Sequence, residues 1–270
     1  QKPAARPRER LALVTGASGG IGGQTARRLA AAGYRLVLVA RRQERLEALA
    51  EEIRKGGGEA EVLVADLSHS DGTRAVFEQV MERYGGIDVL VNNAGFGWYG
   101  WASEMPWATA QDMLQVNTAA LTQLIVLFLP GMRRAGRGHV INVSSVAGSL
   151  PSQGVALYSA TKSFVDALTT ALYRELRGSG VHVSVVRPGP VLTEFYRTAE
   201  RLPFGSPVPG ERLAVKPEAV AEAILSLLAR PRRAVWVPGA LRIMPWVEAG
   251  FGWILDRLGP LLLRRRGLAV

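Results

Sequence analysis

Tyr158 and Lys162 stand four residues apart in the stretch ALYSATKSF. On a helix, residues at i and i+4 project from one face. A free tyrosine has a pKa of about 10, too high to trade protons readily at neutral pH. A neighbouring ammonium favours the phenolate and lowers that value. The pair therefore reads as a general acid/base, Tyr158, tuned by a cation, Lys162. Lysine is scarce here: Lys2, Lys55, Lys162 and Lys216 are the only ones among 33 lysines and arginines. It suits the place better than arginine, being a compact charge with donors to spare for a second partner. Upstream, Ser144 and Ser145 end a β-rich run, and either hydroxyl could orient a reacting oxygen.

A second stretch, Val14-Thr-Gly-Ala-Ser-Gly-Gly-Ile-Gly22, follows one strand-like run and opens a helix-like one. Gly16 permits a tight turn, Gly20 lets backbone approach a pyrophosphate, and Gly22 lets helix and strand pack closely. The helix N-terminus, at Ile21, then offers free N–H groups to the anion. The next strand ends in Leu38-Val-Ala-Arg-Arg42, with no carboxylate to bind ribose hydroxyls. Arg41 and Arg42, with Ser18, would instead meet a 2′-phosphate through charge-assisted hydrogen bonds. The expected cofactor is NADP(H) in preference to NAD(H). The same glycines also spell G-x-S-x-G around Ser18, the nucleophile elbow of α/β-hydrolases. That alternative needs an acid and then a histidine after the serine. His69 comes very early, His139 begins a strand and His182 lies within one, so it is disfavoured.

The elements that must position these residues are legible as an alternation. Leu11–Thr15, Arg35–Ala40, Ala60–Ala65, Asp88–Asn92, His139–Ser144, Val181–Arg187 and Ala234–Val237 read as strands. Most are rich in Val, Leu and Ile with little polar alternation, as strands covered on both faces are. Ile21–Ala32, Glu44–Lys55, Asp71–Tyr84, Ala110–Arg134, Ser152–Arg177 and Pro217–Ala229 read as helices, and Gly33, Gly56, Gly85 and Gly178 stand where helices should stop. A β-α-β-α order implies a doubly wound parallel α/β sheet of about seven strands, with helices on both faces. Neither an internal repeat nor a linker divides the chain. One domain is expected over 11–238, with a loose basic arm at 1–10 and an amphipathic extension at 239–270. Residues 188–215 are long, irregular and rich in Pro and Gly, as a substrate lid would be.

Composition narrows the partners. The chain is 48% hydrophobic and 21% charged, ordinary for a folded globule with a real core. Its net charge is +10 and its pI about 10.6, but the arginines are dispersed and carry no nucleic-acid-binding signature. A basic solvated surface is the reading, with no nucleic-acid partner. Absence of cysteine excludes disulfides, thiolate catalysis and cysteine-bound zinc. The three histidines are too far apart for a metal spacing and read as structural or surface residues. The opening QKPAARPRER has no apolar run of the secretory kind, and a cytoplasmic location is expected.

Taken in order, these motifs resemble the short-chain dehydrogenase/reductase family over about Arg10 to Val237. Thr15-Gly-Ala-Ser-Gly-Gly-Ile-Gly22 is similar to its glycine turn, and Asn92-Asn-Ala-Gly95 to its segment after the fourth strand. Asn117, Ser145, Tyr158 and Lys162 match its catalytic tetrad. The family places its serine thirteen residues before the tyrosine, which selects Ser145 over Ser144. The resemblance implies a Rossmann-type sheet in the order 3-2-1-4-5-6-7. It implies cofactor contacts from Asp66 and Leu67, from Asn93, Ala94 and Gly95, and from Pro188, Gly189, Val191 and Thr193. It implies that Lys162 also binds the nicotinamide ribose and that Asn117 holds a water linked to Lys162. The activity implied is hydride transfer between nicotinamide and a carbonyl or secondary alcohol. The rival to an enzyme is a family member kept as a non-catalytic NADP-binding module, which the intact tetrad argues against.

Substrate contacts should come from loops at the carboxyl ends of the strands. Those segments offer Phe96, Trp98, Tyr99, Leu150, Val155, Phe195, Tyr196, Leu202 and Phe204. A moderately hydrophobic ketone or aldehyde fits them, although Arg197 and Arg201 could anchor an anion. The tail from Leu241 carries Trp246, Phe251 and Trp253 and closes on Arg264–Arg266. Packing over the cleft or at a subunit interface is favoured for it above peripheral membrane contact. Family members commonly pair through the two longest helices, so a homodimer or homotetramer is expected.

Overall fold

The computed structural model describes residues 10–195, 202–203 and 214–264. The basic arm through residue 9, most of the lid, and Tyr196, Arg197, Arg201 and Phe204 lie outside them. Seven strands form one parallel sheet: β1 Arg10–Thr15, β2 Tyr34–Ala40, β3 Ala60–Val64, β4 Val89–Asn92, β5 Gly138–Val143, β6 Val181–Pro188 and β7 Ala234–Val237. Their order is β3-β2-β1-β4-β5-β6-β7. Alternate residues of each strand feed opposite layers. Ala12, Val14, Leu36 and Leu38 pack beneath α1 (Gly20–Ala31), α2 (Gln43–Lys55) and α7 (Pro217–Ala229). Leu11, Leu13, Val37 and Val39 pack beneath α3 (Ser70–Tyr84), α5 (Leu121–Ala135) and α6 (Ala156–Glu175). Burial on both faces is why the strands read as unbroken apolar runs.

The order reverses between β3 and β4, so β1 has β2 on one side and β4 on the other. The loops leaving the carboxyl ends of β1 and β4 diverge there, which is where such sheets bind ligands. The loop after β6 returns to the same edge, because Val191 bridges Val215 in parallel.

Two helices differ from their sequence reading, both beside the tyrosine. The expected Ala110–Arg134 helix begins earlier, as α4 Trp107–Leu114, and passes through a wide turn at Gln115–Ala120 before becoming α5. The wide turn uses i→i+5 bonds and carries Asn117. Pro130 sits inside α5, at a cost of about 3 kcal/mol. Buried Leu121, Leu124, Ile125, Phe128 and Met132 outweigh it, at roughly 1.5–3 kcal/mol each. By length and apolar composition the run Trp107–Ala135 could cross a bilayer; those five side chains instead bury its inner face against the sheet. Helix α6 starts at Ala156, later than the expected Ser152, because Gly154 takes a left-handed φ of 84° that breaks any earlier turn.

The tail forms a short tight turn at Gly239–Ile243 and then α8, Met244–Arg264. Leu241 reaches the backbone at Gly189. Trp246, Phe251 and Trp253 are exposed, so of the two packing places expected for them they do not take the one over the cleft.

Candidate active site

A cavity of about 670 Å³ runs along the carboxyl edge of β1, β4, β5 and β6. It gathers the expected site residues among those described except Gly22, which packs under the glycine turn, Leu202, and Asn117, which stands behind its wall. At the phosphate end the chain turns tightly after β1. Gly16 has φ of 66°, and a Cβ on Gly22 would come 2.3 Å from the Gly16 carbonyl oxygen. Only glycine allows that approach of helix to turn. No side chain caps α1, and its first turn holds no acid. Its leading N–H groups therefore sit at the cavity wall as ready donors to an anion.

The loop after β4 is stapled to this turn. Thr15 Oγ1 accepts from the backbone N–H groups of Asn93 and Ala94, both at 3.0 Å. The Asn93 amide donates to the carbonyl of Thr15 at 2.9 Å and of Gly16 at 3.3 Å. Asn93 thus lines the cavity but spends its donors on the turn.

Beside the glycine turn, at the end of β2, Arg42 rather than Arg41 engages Ser18. Arg42 Nε and Nη2 donate to Ser18 Oγ at 3.1 and 3.0 Å. Arg41 faces Asp66 at 3.9 Å, and Asp66 accepts from the Ser68 N–H at 2.9 Å. Arg45 was not among the expected residues, yet its guanidinium reaches Glu194 at 2.7 Å, as Arg42 does at 2.5 Å. A pair 149 positions apart leaves no local signal in a sequence.

The opposite end carries the expected tyrosine, lysine and serine. Tyr158 and Lys162 project from the first turns of α6, with Lys162 Nζ 5.7 Å from the phenol ring centroid. Lys162 is buried and donates to the Val143 carbonyl at 2.9 Å. Burial pushes its pKa down from 10.5 to about 8, against the upward pull of Asp166 one turn further on. Asp166 pairs with Arg187 at 2.9 Å, and Arg187 stacks on Trp236 at 4.9 Å. Burial raises the Asp166 carboxyl, with Arg187 opposing.

The two serines divide their work. Ser144 donates to the Lys162 backbone carbonyl at 3.1 Å, tying β5 to α6. Ser145 accepts from Ala147 N–H at 3.2 Å, which occupies one of its two lone pairs and leaves its O–H to donate into the cavity.

The Asn117 side chain is a brace. Its Oδ1 accepts from Phe96 N–H at 3.1 Å, and its amide donates to Phe96 O at 2.9 Å and Thr161 Oγ1 at 3.1 Å. Gly95 lies between it and Lys162: a Cβ there would meet Asn117 Oδ1 at 3.0 Å and Lys162 Nζ at 3.5 Å.

Of the expected pocket residues, Phe96, Trp98, Tyr99, Leu150, Val155 and Phe195 line the cavity and Leu202 does not; Val116, Val146, Ala147 and Ser152 join them. Trp98 is only 2% exposed and donates from its indole to Pro203 O at 3.0 Å, which ties the loop after β4 to Pro203. Phe195 lies with its ring 5.3 Å from that of Tyr158.

None of the histidines reaches the cavity. His139 is buried against Ser184 at 2.8 Å, and burial, with His182 beside it, pushes its pKa down to about 3. The hydrolase alternative therefore has a serine without a base. Among the described residues no group of side chains could hold a metal ion.

Comparison with known proteins agrees with this arrangement. The family model for short chain dehydrogenase matches residues 10–201. The human protein named dehydrogenase/reductase SDR family member 11 is 35% identical over 84% of this chain and 91% of its own. A short-chain dehydrogenase from Sphingobium yanoikuyae in complex with NADPH superposes with a TM-score of 0.79 at 33% identity, over 92% of this chain and 96% of that one. A relative from Burkholderia phymatum in complex with NAD gives 0.78 at 26% identity, over 87% and 92%. A parallel sheet in this order, a glycine turn at its switch point and a matched family span have one meaning: this chain belongs to the short-chain dehydrogenase/reductase family of oxidoreductases.

Proposed function

We propose that the protein is an NADP(H)-dependent oxidoreductase that interconverts a carbonyl and a secondary alcohol, with Tyr158 as general acid/base. The observation that carries this reading is the wall formed by Tyr158, Lys162 and Ser145, facing a cavity whose far end is built for phosphate. The residues fit a dinucleotide. The uncapped start of α1 and the Gly16–Gly22 turn suit its pyrophosphate, and Ser18 with Arg42 suits a 2′-phosphate. When bound, the nicotinamide supplies or receives the hydride at the carbon bearing the reacting oxygen.

The chain's own groups supply the rest. In reduction Tyr158 gives its proton to that oxygen; in oxidation it takes the proton back. Ser145, one lone pair engaged by Ala147, donates a hydrogen bond to the same oxygen and fixes its place. Lys162 places its ammonium 5.7 Å from the Tyr158 ring, where it would favour the negative charge that the phenol oxygen takes up as its proton leaves, and it would offer donors to the nicotinamide ribose. Asn117 keeps the backbone at Phe96 in register with α6. A proton path through water at Asn117 remains part of the proposal.

The apolar walls, Phe96, Leu150, Val155 and Phe195, suit a moderately hydrophobic ketone or aldehyde. Apolar side chains also stand on the outer faces of the long helices, with Val126, Phe164 and Tyr173 exposed. They support pairing of copies through α5 and α6 as a homodimer or homotetramer. The test is NADPH oxidation by purified protein against carbonyls graded in size and polarity, with NADH in parallel. Turnover of apolar ketones with NADPH is expected. A preference for small charged 2-oxo acids would contradict the substrate class, equal efficiency with NADH would contradict the cofactor preference, and binding without any turnover would contradict catalysis.

A further inference from the structure

One charge cluster lies at the phosphate end, away from Tyr158 and Lys162. Glu194 comes from the loop after β6, yet its carboxylate is held by Arg42, at the N-cap of α2, and Arg45, in its first turn. Arg42 Nη1 donates to Oε2 at 2.5 Å, and Arg45 Nη1 donates to Oε1 and Oε2, both at 2.7 Å. The remaining nitrogens of Arg42 hold Ser18. All three charged groups crowd over the glycine turn: a Cβ on Gly19 would lie 3.2 Å from Arg42 Nη2 and 3.9 Å from both Arg45 Nη1 and Glu194 Oε2. A carboxylate of the protein thus engages the cations that face a 2′-phosphate.

We infer that Glu194 competes with the cofactor's 2′-phosphate for Arg42 and Arg45, making Arg45 a second 2′-phosphate ligand and Glu194 the latch of the short segment Thr193–Phe195. The inference rests on the NADP(H) reading above. Its chemistry is one of charge and geometry. A phosphate monoester near neutral pH carries more charge and more acceptor oxygens than a carboxylate, so it wins the shared guanidinium groups. The hydrogen bonds from Arg42 and Arg45 hold the Glu194 pKa down to about 2, so protonation does not release the latch near neutral pH.

Two neighbours make the exchange matter. Thr193 lies against Gly20 at the cofactor turn, where a Cβ on that glycine would come 3.0 Å from its Cγ2. Phe195 covers Tyr158 and fills the space over Gly97, whose Cβ would meet its Cζ at 2.4 Å. Consecutive residues therefore tie the loop to both ends of the cavity. Displacing Glu194 releases the tie between Thr193–Phe195 and the two arginines, next to the ring that covers Tyr158. NAD(H), without the 2′-phosphate, leaves the latch in place.

Calorimetric titration of the whole protein with NADP+, NAD+, 2′,5′-ADP and 5′-AMP tests this. Glu194→Gln keeps the shape and removes the charge. It should tighten NADP+ and 2′,5′-ADP by roughly two- to thirty-fold, the range for two half-exposed ion pairs, and leave NAD+ and 5′-AMP unchanged. Arg45→Ala should weaken NADP+ and 2′,5′-ADP alone. Amide exchange at Thr193–Phe195 should rise when 2′,5′-ADP is added to the parent protein and be high already in Glu194→Gln. Unchanged or weaker NADP+ binding by Glu194→Gln overturns the inference. So does loss of NAD+ affinity in that variant, which would make the carboxylate a ribose ligand. A parent protein that binds no dinucleotide at all overturns the functional reading with it, an outcome distinct from a parent that binds NADP+ no differently from the variant.

Discussion

Replacing Lys162 by methionine should make the protein harder to unfold while disabling its chemistry. The lysine is buried with its pKa moved from 10.5 to about 8. At about 1.36 kcal/mol per unit, the folded state bears on the order of 3 kcal/mol for keeping the ammonium there. Methionine removes that cost but leaves the Val143 carbonyl without its donor, a loss of about 1–3 kcal/mol. A net gain of about 1 kcal/mol near pH 7 raises Tm by about 2–4 °C in a chain of this size. The pH dependence isolates the cause. Below pH 8 the lysine is protonated folded and unfolded, and the full penalty stands. From pH 8 to 10.5 the unfolded chain binds more protons than the folded one, so stability rises with pH. The parent should therefore gain up to about 3 kcal/mol on the variant across that window. Urea unfolding of both proteins from pH 7 to 10.5 measures it. A stability difference that does not change with pH would refute the argument, because a penalty located elsewhere would not titrate with this lysine.

Further outcomes follow from single contacts. Arg42→Ala should weaken NADPH about tenfold, the worth of one exposed charge-assisted contact, with NADH affinity unchanged by calorimetry. Asn117→Ala strands both backbone groups of Phe96 and should cost about 2–4 kcal/mol in urea unfolding. Gly97→Ala drives a methyl into the Phe195 ring; it should change KM for the carbonyl several-fold while NADPH affinity stays at the parental value.

Much of this could be read before any coordinates, for physical reasons. Strands buried on both faces announce themselves as Val, Leu and Ile runs, and Gly33 and Gly85 close their helices with left-handed φ values of 80° and 68°. The left-handed residue after α2 is Gly57 at 82°, not Gly56, a shift that a run of three glycines hides. Tyr158 and Lys162 were legible because helical spacing alone puts them on one face. What depends on distant chain was not. Ser144 and Ser145 are neighbours of one type, and only the packing of α6 on β5 separates the tie from the donor. The wide turn at Asn117 and the positive φ of Gly154 shift helix boundaries without changing the hydrophobic pattern. Glu194 lies in a stretch that reads as lid, while Arg42 reads as a cofactor residue and Arg45 as part of the next helix.

Tyr158→Phe tests the central claim most directly. The substitution removes one oxygen from a half-buried ring and leaves Lys162, Ser145 and the phosphate end in place. Single-turnover reduction of a good ketone, with NADPH affinity measured in parallel, separates chemistry from binding. The account predicts a rate lower by about 10²–10⁴-fold, the worth of a positioned general acid, with NADPH affinity and unfolding midpoint at parental values. Reduction at the parental rate would show that the proton comes from another group and would contradict the account.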